Sequence, residues 1–210
     1  IAGQYIIMKK NIVLLLIRAV CLLSACSKDS DSSPVPVSGT DPQKGSQWTY
    51  KYTFYDQSGA VTGSTNVSFI GDTMTIGGSA WIVLKITGTG EPAIALQKRA
   101  DGWWWVPFPN PSASLWFKTP AAVGDQYNYN ISDLTVDTMK VRNINANLTV
   151  PAGSFTGVSF MQGYDTNSQE DEYYFTTTGP ILLRAGTFDD LTPGPGVYEK
   201  QRSELISFTR

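Results

Sequence analysis

Histidine is absent from all 210 residues, and cysteine occurs only at Cys21 and Cys26. Everything beyond residue 26 therefore has no thiol, no disulfide and no Cys-based metal site. Losing histidine removes the usual general base and the usual zinc ligand together. Nucleophile–base pairs shrink to Ser/Lys or Thr/Lys types, and no Ser-x-x-Lys spacing stands in a convincing context. Positive charge is scarce as well. Of 16 basic residues, Lys9, Lys10 and Arg18 fall in the first 25, which leaves 13 against 18 acids and a net charge of −5. No basic stripe exists to replace phosphate counterions, which argues against a nucleic-acid partner. Past Pro34 no helical stripe of any length can be found either.

What is present begins with a leader. Residues 1–7 precede Met8, the first plausible start, and are set aside as a mis-called start. Met8-Lys9-Lys10 opens an apolar run from Ile12 to Leu23, broken by Arg18 and ending in Leu23-Ser24-Ala25-Cys26. A positive start, an apolar middle and small residues before a cut are the parts of a secretory signal. The run is short for a permanent membrane span, and Arg18 would be costly in one. Leu23-Ser24-Ala25-Cys26 resembles the lipobox of bacterial lipoproteins. That resemblance implies a signal over 1–25, with Cys26 lipidated as the first mature residue. Residues 26–44 then read as a Ser/Pro-rich, solvated tether. Its acidic start looks like the surface-export signal of Bacteroidetes lipoproteins, so the expected place is the outer membrane, on its periplasmic or cell-surface face.

Residues 45–210 read as one β domain. From Gln47 the pattern alternates with period two: Trp48, Tyr50, Tyr52 and Phe54 share one face, with Thr49, Lys51 and Thr53 on the other. Turn signals follow at Asp56-Gln57-Ser58-Gly59, Gly71-Asp72 and Gly77-Gly78, and Asp101-Gly102 reads as a type I′ hairpin turn. Ile82, Leu84 and Ile86 align on one strand, and Ile94, Leu96 and Lys98 on the next. Ile181-Leu182-Leu183 reads as a short apolar strand, and Tyr198 to Phe208 as the last. The expected fold is all-β: an antiparallel curved sheet, open barrel or sandwich of about ten to twelve strands.

Val150-Pro151-Ala152-Gly153-Ser154-Phe155, then Tyr173-Tyr174-Phe175, Gly179-Pro180-Ile181 and Glu204-Leu205-Ile206-Ser207-Phe208 form a looser arrangement. It resembles β-rich lipoproteins of unknown function from Bacteroidetes-type bacteria. The resemblance implies a fold and a compartment and transfers no catalytic residues. The same residues also have a physical reading: Pro151 ends a strand, Gly153 allows a tight corner, and Phe155 plugs the core there.

Trp103-Trp104-Trp105 is the most unusual local feature. In a strand Trp103 and Trp105 point one way and Trp104 the other. With Trp116, these rings suit either an exposed sugar- or peptide-binding platform or a sheet covered on both faces. Oxygen side chains alternate at Asp165, Asn167, Gln169 and Asp171, a spacing that could serve a hard cation; Asp165, Asn167 and Asp171 are the weak metal candidates. A solvated hairpin tip is the simpler reading. Asp72-Thr73-Met74 and Asp137-Thr138-Met139 look like the O-glycosylation acceptor of Bacteroidetes exported proteins. Clustered carboxylates at Glu170-Asp171-Glu172 and Asp189-Asp190 are not the spaced pair a glycosidase needs, which leaves Asp101 and Glu91 as distant partners. The inventory points to a non-enzymatic binding module for a glycan or protein partner, needing no cofactor and reaching the membrane through lipid on Cys26. The alternative is a lipocalin-like carrier sheltering an apolar ligand among Phe69, Ile82 and Leu84.

Overall fold

The computed structural model describes residues 41–109, 112–132, 135–164, 170–176, 182–190 and 196–209. Every regular element among them is a strand: β1 (Gln47–Tyr55), β2 (Val61–Ile76), β3 (Ser79–Ile86), β4 (Pro92–Arg99), β5 (Gly102–Pro107), β6 (Ser114–Lys118), β7 (Gln126–Ser132), β8 (Thr135–Val150), β9 (Gly153–Tyr164), β10 (Glu170–Phe175), β11 (Leu182–Asp190) and β12 (Val197–Thr209). They form one twelve-stranded antiparallel sheet in the order β6-β5-β4-β3-β2-β1-β12-β11-β10-β9-β8-β7. Neighbours in the sheet are neighbours in sequence everywhere except β1–β12, where the two ends of the domain pair. The sheet curls into a nearly closed barrel, and the sandwich alternative is excluded.

One seam lacks a ladder. Between β6 and β7, side chains do the closing: Tyr127 Oη donates to the Trp116 carbonyl at 3.0 Å and reaches Met161 Sδ at 3.0 Å. Trp105 stacks on Tyr129 across the seam at 5.2 Å between centroids, and Lys118 pairs with Asp125 at 2.8 Å.

The alternation read from the sequence sorts the two faces. Ile82 and Leu84 pair with Leu96 and Ile94, and Leu96 with Trp105, all facing inward. They meet Phe117, Met139, Met161, Phe175, Leu183 and Leu205 from around the barrel, so side chains occupy the middle. Burying each such side chain contributes about 1.5–3 kcal/mol. The opposite register (Val83, Ala95 and Val106) makes a smaller apolar cluster with Trp81 on the outer face, flanked by Trp104, Phe108 and Met74.

Several boundaries differ from the sequence reading. β2 runs through Gly71-Asp72 without turning, because Gly71 is kept bare for a crossing segment rather than for a bend. The β4–β5 hairpin turns at Ala100-Asp101, one residue earlier than expected. Gly102 already pairs with Arg99, and a Cβ there would run into the Phe117 carbonyl. The short apolar strand grows to β11, nine residues reaching Asp190; Ile181 lies outside the described residues. Gly77-Gly78 does form the β2–β3 turn, with φ of 57° and 81°.

Two segments cover the mouth where β1 begins and β12 ends. Residues 41–46 form a strap across β2: Gly45 N–H donates to the Gly71 carbonyl at 2.8 Å, and Gly71 N–H to the Ser46 carbonyl at 2.7 Å. Within the strap Pro42 and Ser46 are buried. On the other side the β8–β9 ribbon bends inward through three register shifts, with Gly157 (φ 68°) in one bulge. Its tip puts Val150 and Ala152 into the core. The corner plug expected at Phe155 is thus made chiefly by those two, with Phe155 only partly buried beside them.

Candidate functional site

The length mismatch between β1 and β2 creates the site. β1 has nine residues and β2 sixteen, so Gly71–Ile76 and the facing ends of β3, β4 and β5 project past the strap. Among the described residues no strand opposes their inward face there, which is left as a groove of about 580 Å³. Ile82, Leu96 and Trp103 supply the apolar floor, Thr73 and Lys98 bring polar side chains to it, Ser79, Ala80 and Gln97 border its rim, and Asp41-Pro42 form one wall. The groove is open to solvent, and Leu96 and Trp103, 2% and 4% exposed, offer it little apolar surface.

Among the described residues two charged side chains line this groove, and they face each other. Lys98 Nζ is 2.9 Å from Asp41 Oδ2, and it also stands 5.8 Å from the centre of the Trp103 ring. Both are substantially solvated, Lys98 at 56% and Asp41 at 44% side-chain exposure, so the pair is worth only about 0–1 kcal/mol. Asp72, next to Thr73 but in register with the outward Val83, is held firmly. Lys85 Nζ lies 2.6 Å away, Thr73 N–H donates at 2.8 Å and Lys44 is at 3.5 Å, which together hold its carboxyl down to about pKa 2.

Of the two arrangements open to the tryptophans, exposed platform or covered sheet, Trp103, Trp105 and Trp116 take the second and are core residues. Trp103, Trp105 and Trp116 are 4%, 9% and 6% exposed. Trp105 is sandwiched between Trp116 (5.5 Å, 16°) and Tyr129 (5.2 Å, 7°), and its Nε1–H donates to Ser114 Oγ at 2.8 Å. Trp116 meets Phe175 edge-on at 5.0 Å. The cause is barrel curvature: inward residues of β5 and β6 converge on those of β7 and β10, and large rings fill that convergence. Trp103 alone of the three borders the groove. Trp104 faces outward, with the Arg99 guanidinium 4.1 Å above its ring.

Of the weak metal candidates, Asp165 and Asn167 lie outside the described residues. Asp171 accepts a hydrogen bond from Tyr173 Oη at 3.1 Å. Among the described residues no three acidic groups gather as a cation would need. The distant carboxylates Glu91 and Asp101 flank opposite ends of β4, eight residues long, or about 27 Å apart along the strand. Asp189 is paired with Lys200 at 2.8 Å, and Glu172 stands 3.8 Å from Arg184. Burial keeps Tyr50 and Tyr173 protonated well beyond the ordinary phenol range and lifts Tyr52 to about 12, as expected of packing groups.

Sequence reasoning overlooked Lys98 and Asp41 as a pair. One signal was available: Lys98 falls in phase with the inward Ile94 and Leu96, an unusual place for a cation unless the strand end opens to water. Compared with known proteins, the chain matches no family model, no curated protein and no solved structure.

Proposed function

We propose that this chain is a lipid-anchored, non-enzymatic outer-membrane module that binds a glycan in the groove between the strap and the ends of β2–β5. The observation carrying this reading is the groove itself: an apolar floor beside Thr73, Lys98 and Asp41, outside an interior already occupied by side chains. Sugars offer both hydroxyl groups and apolar faces, which such a lining can meet together. The carrier reading draws less support, since Leu84 is in the packed core and Phe69 and Ile82 lie against it. The anchor rests on the lysines, the apolar run and Cys26, and the non-enzymatic reading on carboxylates held apart or ion-paired.

The test is a glycan array probed with the lipidated protein in neutral detergent, wild type beside Thr73→Trp. Thr73 is exposed and lines the groove, so a large ring there should block binding and leave the melting temperature unchanged. Binding that survives the block would move the site elsewhere, and silence across the array would end the glycan reading. Incorporation of an alkyne fatty acid, lost in Cys26→Ala, tests the anchor separately.

A further inference from the structure

Resting on that glycan reading, we infer that the groove takes an acidic saccharide, whose carboxylate replaces Asp41 on Lys98. The strap places a carboxylate of the chain itself 2.9 Å from Lys98 Nζ, in a groove whose other lining residues, among those described, are neutral. Asp41 thus marks where a carboxylate fits, and it is poorly fixed there. Its side chain is 44% exposed and can turn back into water at little cost. Lys98 is rooted on β4 opposite Trp103, and its Nζ stands 5.8 Å from the centre of that ring, so the cation stays beside the groove when Asp41 leaves. An incoming uronate would keep the charge pairing, and its hydroxyl groups would gain Thr73 as a partner. A neutral sugar would instead have to leave Asp41 in place and use the remaining space.

This makes the strap a competitor built into the chain. Removing its charge should strengthen acidic binding, whereas removing the lysine should abolish the preference for acid. A partner that merely tolerated the groove would respond to neither change.

The experiment titrates the lipidated protein in neutral detergent with tri-galacturonate and sialyllactose, against galactotriose and lactose as neutral counterparts. Acidic ligands should bind at least about tenfold more tightly than their counterparts, the scale of a hydrogen bond to a charged group. Lys98→Met should erase that margin while Lys98→Arg keeps most of it. Asp41→Asn should raise acidic affinity about two- to fivefold, the weight of an exposed ion pair. Melting temperatures of all three variants close to wild type show that folding is not the cause. Equal binding of acidic and neutral sugars, or a preference that survives Lys98→Met, overturns this inference and leaves the glycan reading intact. If neither these ligands nor any glycan on the array binds, both fall together.

Discussion

Ala152 donates its backbone N–H to the Leu205 carbonyl at 2.9 Å, tying the tip of the β8–β9 ribbon to the strand that closes the domain. The carbonyl is available because the β1–β12 register slips there: Thr49 faces Ser207, Tyr50 faces Leu205, and Ile206 is left without a partner opposite. One bulge thus serves as the socket for a hairpin that covers the barrel mouth. Ala152 is 4% exposed, so the socket holds a methyl and little more.

Ala152→Leu should therefore overpack the mouth and destabilise by about 1–3 kcal/mol. Urea denaturation would show a lower midpoint at unchanged slope. A midpoint equal to wild type would mean that the tip is free to lift.

Gly71 is the crossing point of the strap, and a Cβ there would lie 2.5 Å from the Gln43 carbonyl. Glycine inside a strand ordinarily costs about 0.5–1 kcal/mol relative to alanine. Gly71→Ala should nonetheless lower the melting temperature, because backbone must move to admit the methyl. Amide exchange at 43–46 should rise in the variant, whereas a more stable protein with a protected strap would refute the assignment.

Tyr127→Phe removes the hydroxyl that bridges the unladdered seam to the Trp116 carbonyl. The buried carbonyl then lacks that donor, a loss of about 1–3 kcal/mol. Hydrogen exchange should accelerate in β6 and β7 before it does in β1 and β12, which are held by ladders on both sides.

Trp116 Nε1 has no hydrogen-bond partner among the described residues although it is buried. Trp116→Phe should consequently cost less than the usual large-to-small core change of about 3 kcal/mol or more, since it also removes an unsatisfied donor. A loss as large as that of Trp116→Ala, measured by the same denaturation, would show that the indole N–H is satisfied in solution.

Asp72 gives the pH dependence its sign. Its folded pKa of about 2 lies below the ordinary 3.8, so its ion pair and hydrogen bonds stabilise the fold above about pH 4. That contribution fades as pH falls toward 2, because the unfolded chain takes up the proton first. Melting temperatures measured from pH 5 down to 2 should fall more steeply for wild type than for Asp72→Asn. Parallel curves would place the lysine contacts in the unfolded ensemble as well.

Much of the barrel was legible in the residue pattern. The alternation of Trp48, Tyr50 and Tyr52, the Gly77-Gly78 turn and the opposite facing of Trp103 and Trp104 are local facts, each set within a few residues by pleat or turn geometry. Gly71 misled for the same reason: locally a glycine before an aspartate reads as a turn, and its neighbour across the strap is 28 residues away in the chain, at Gln43.

The site itself was not legible. Asp41 and Lys98 are 57 residues apart, and only the excess length of β2 over β1 leaves their meeting place open. Whether Trp105 and Trp116 faced water or each other likewise turned on how far the sheet curls. By itself the sequence determined strand, face and turn, because those depend on the backbone's two-residue repeat and on which side chains water rejects. Tertiary structure decided what covers the mouth, what fills the middle and where a groove survives, because register and closure are fixed by contacts between strands remote along the chain.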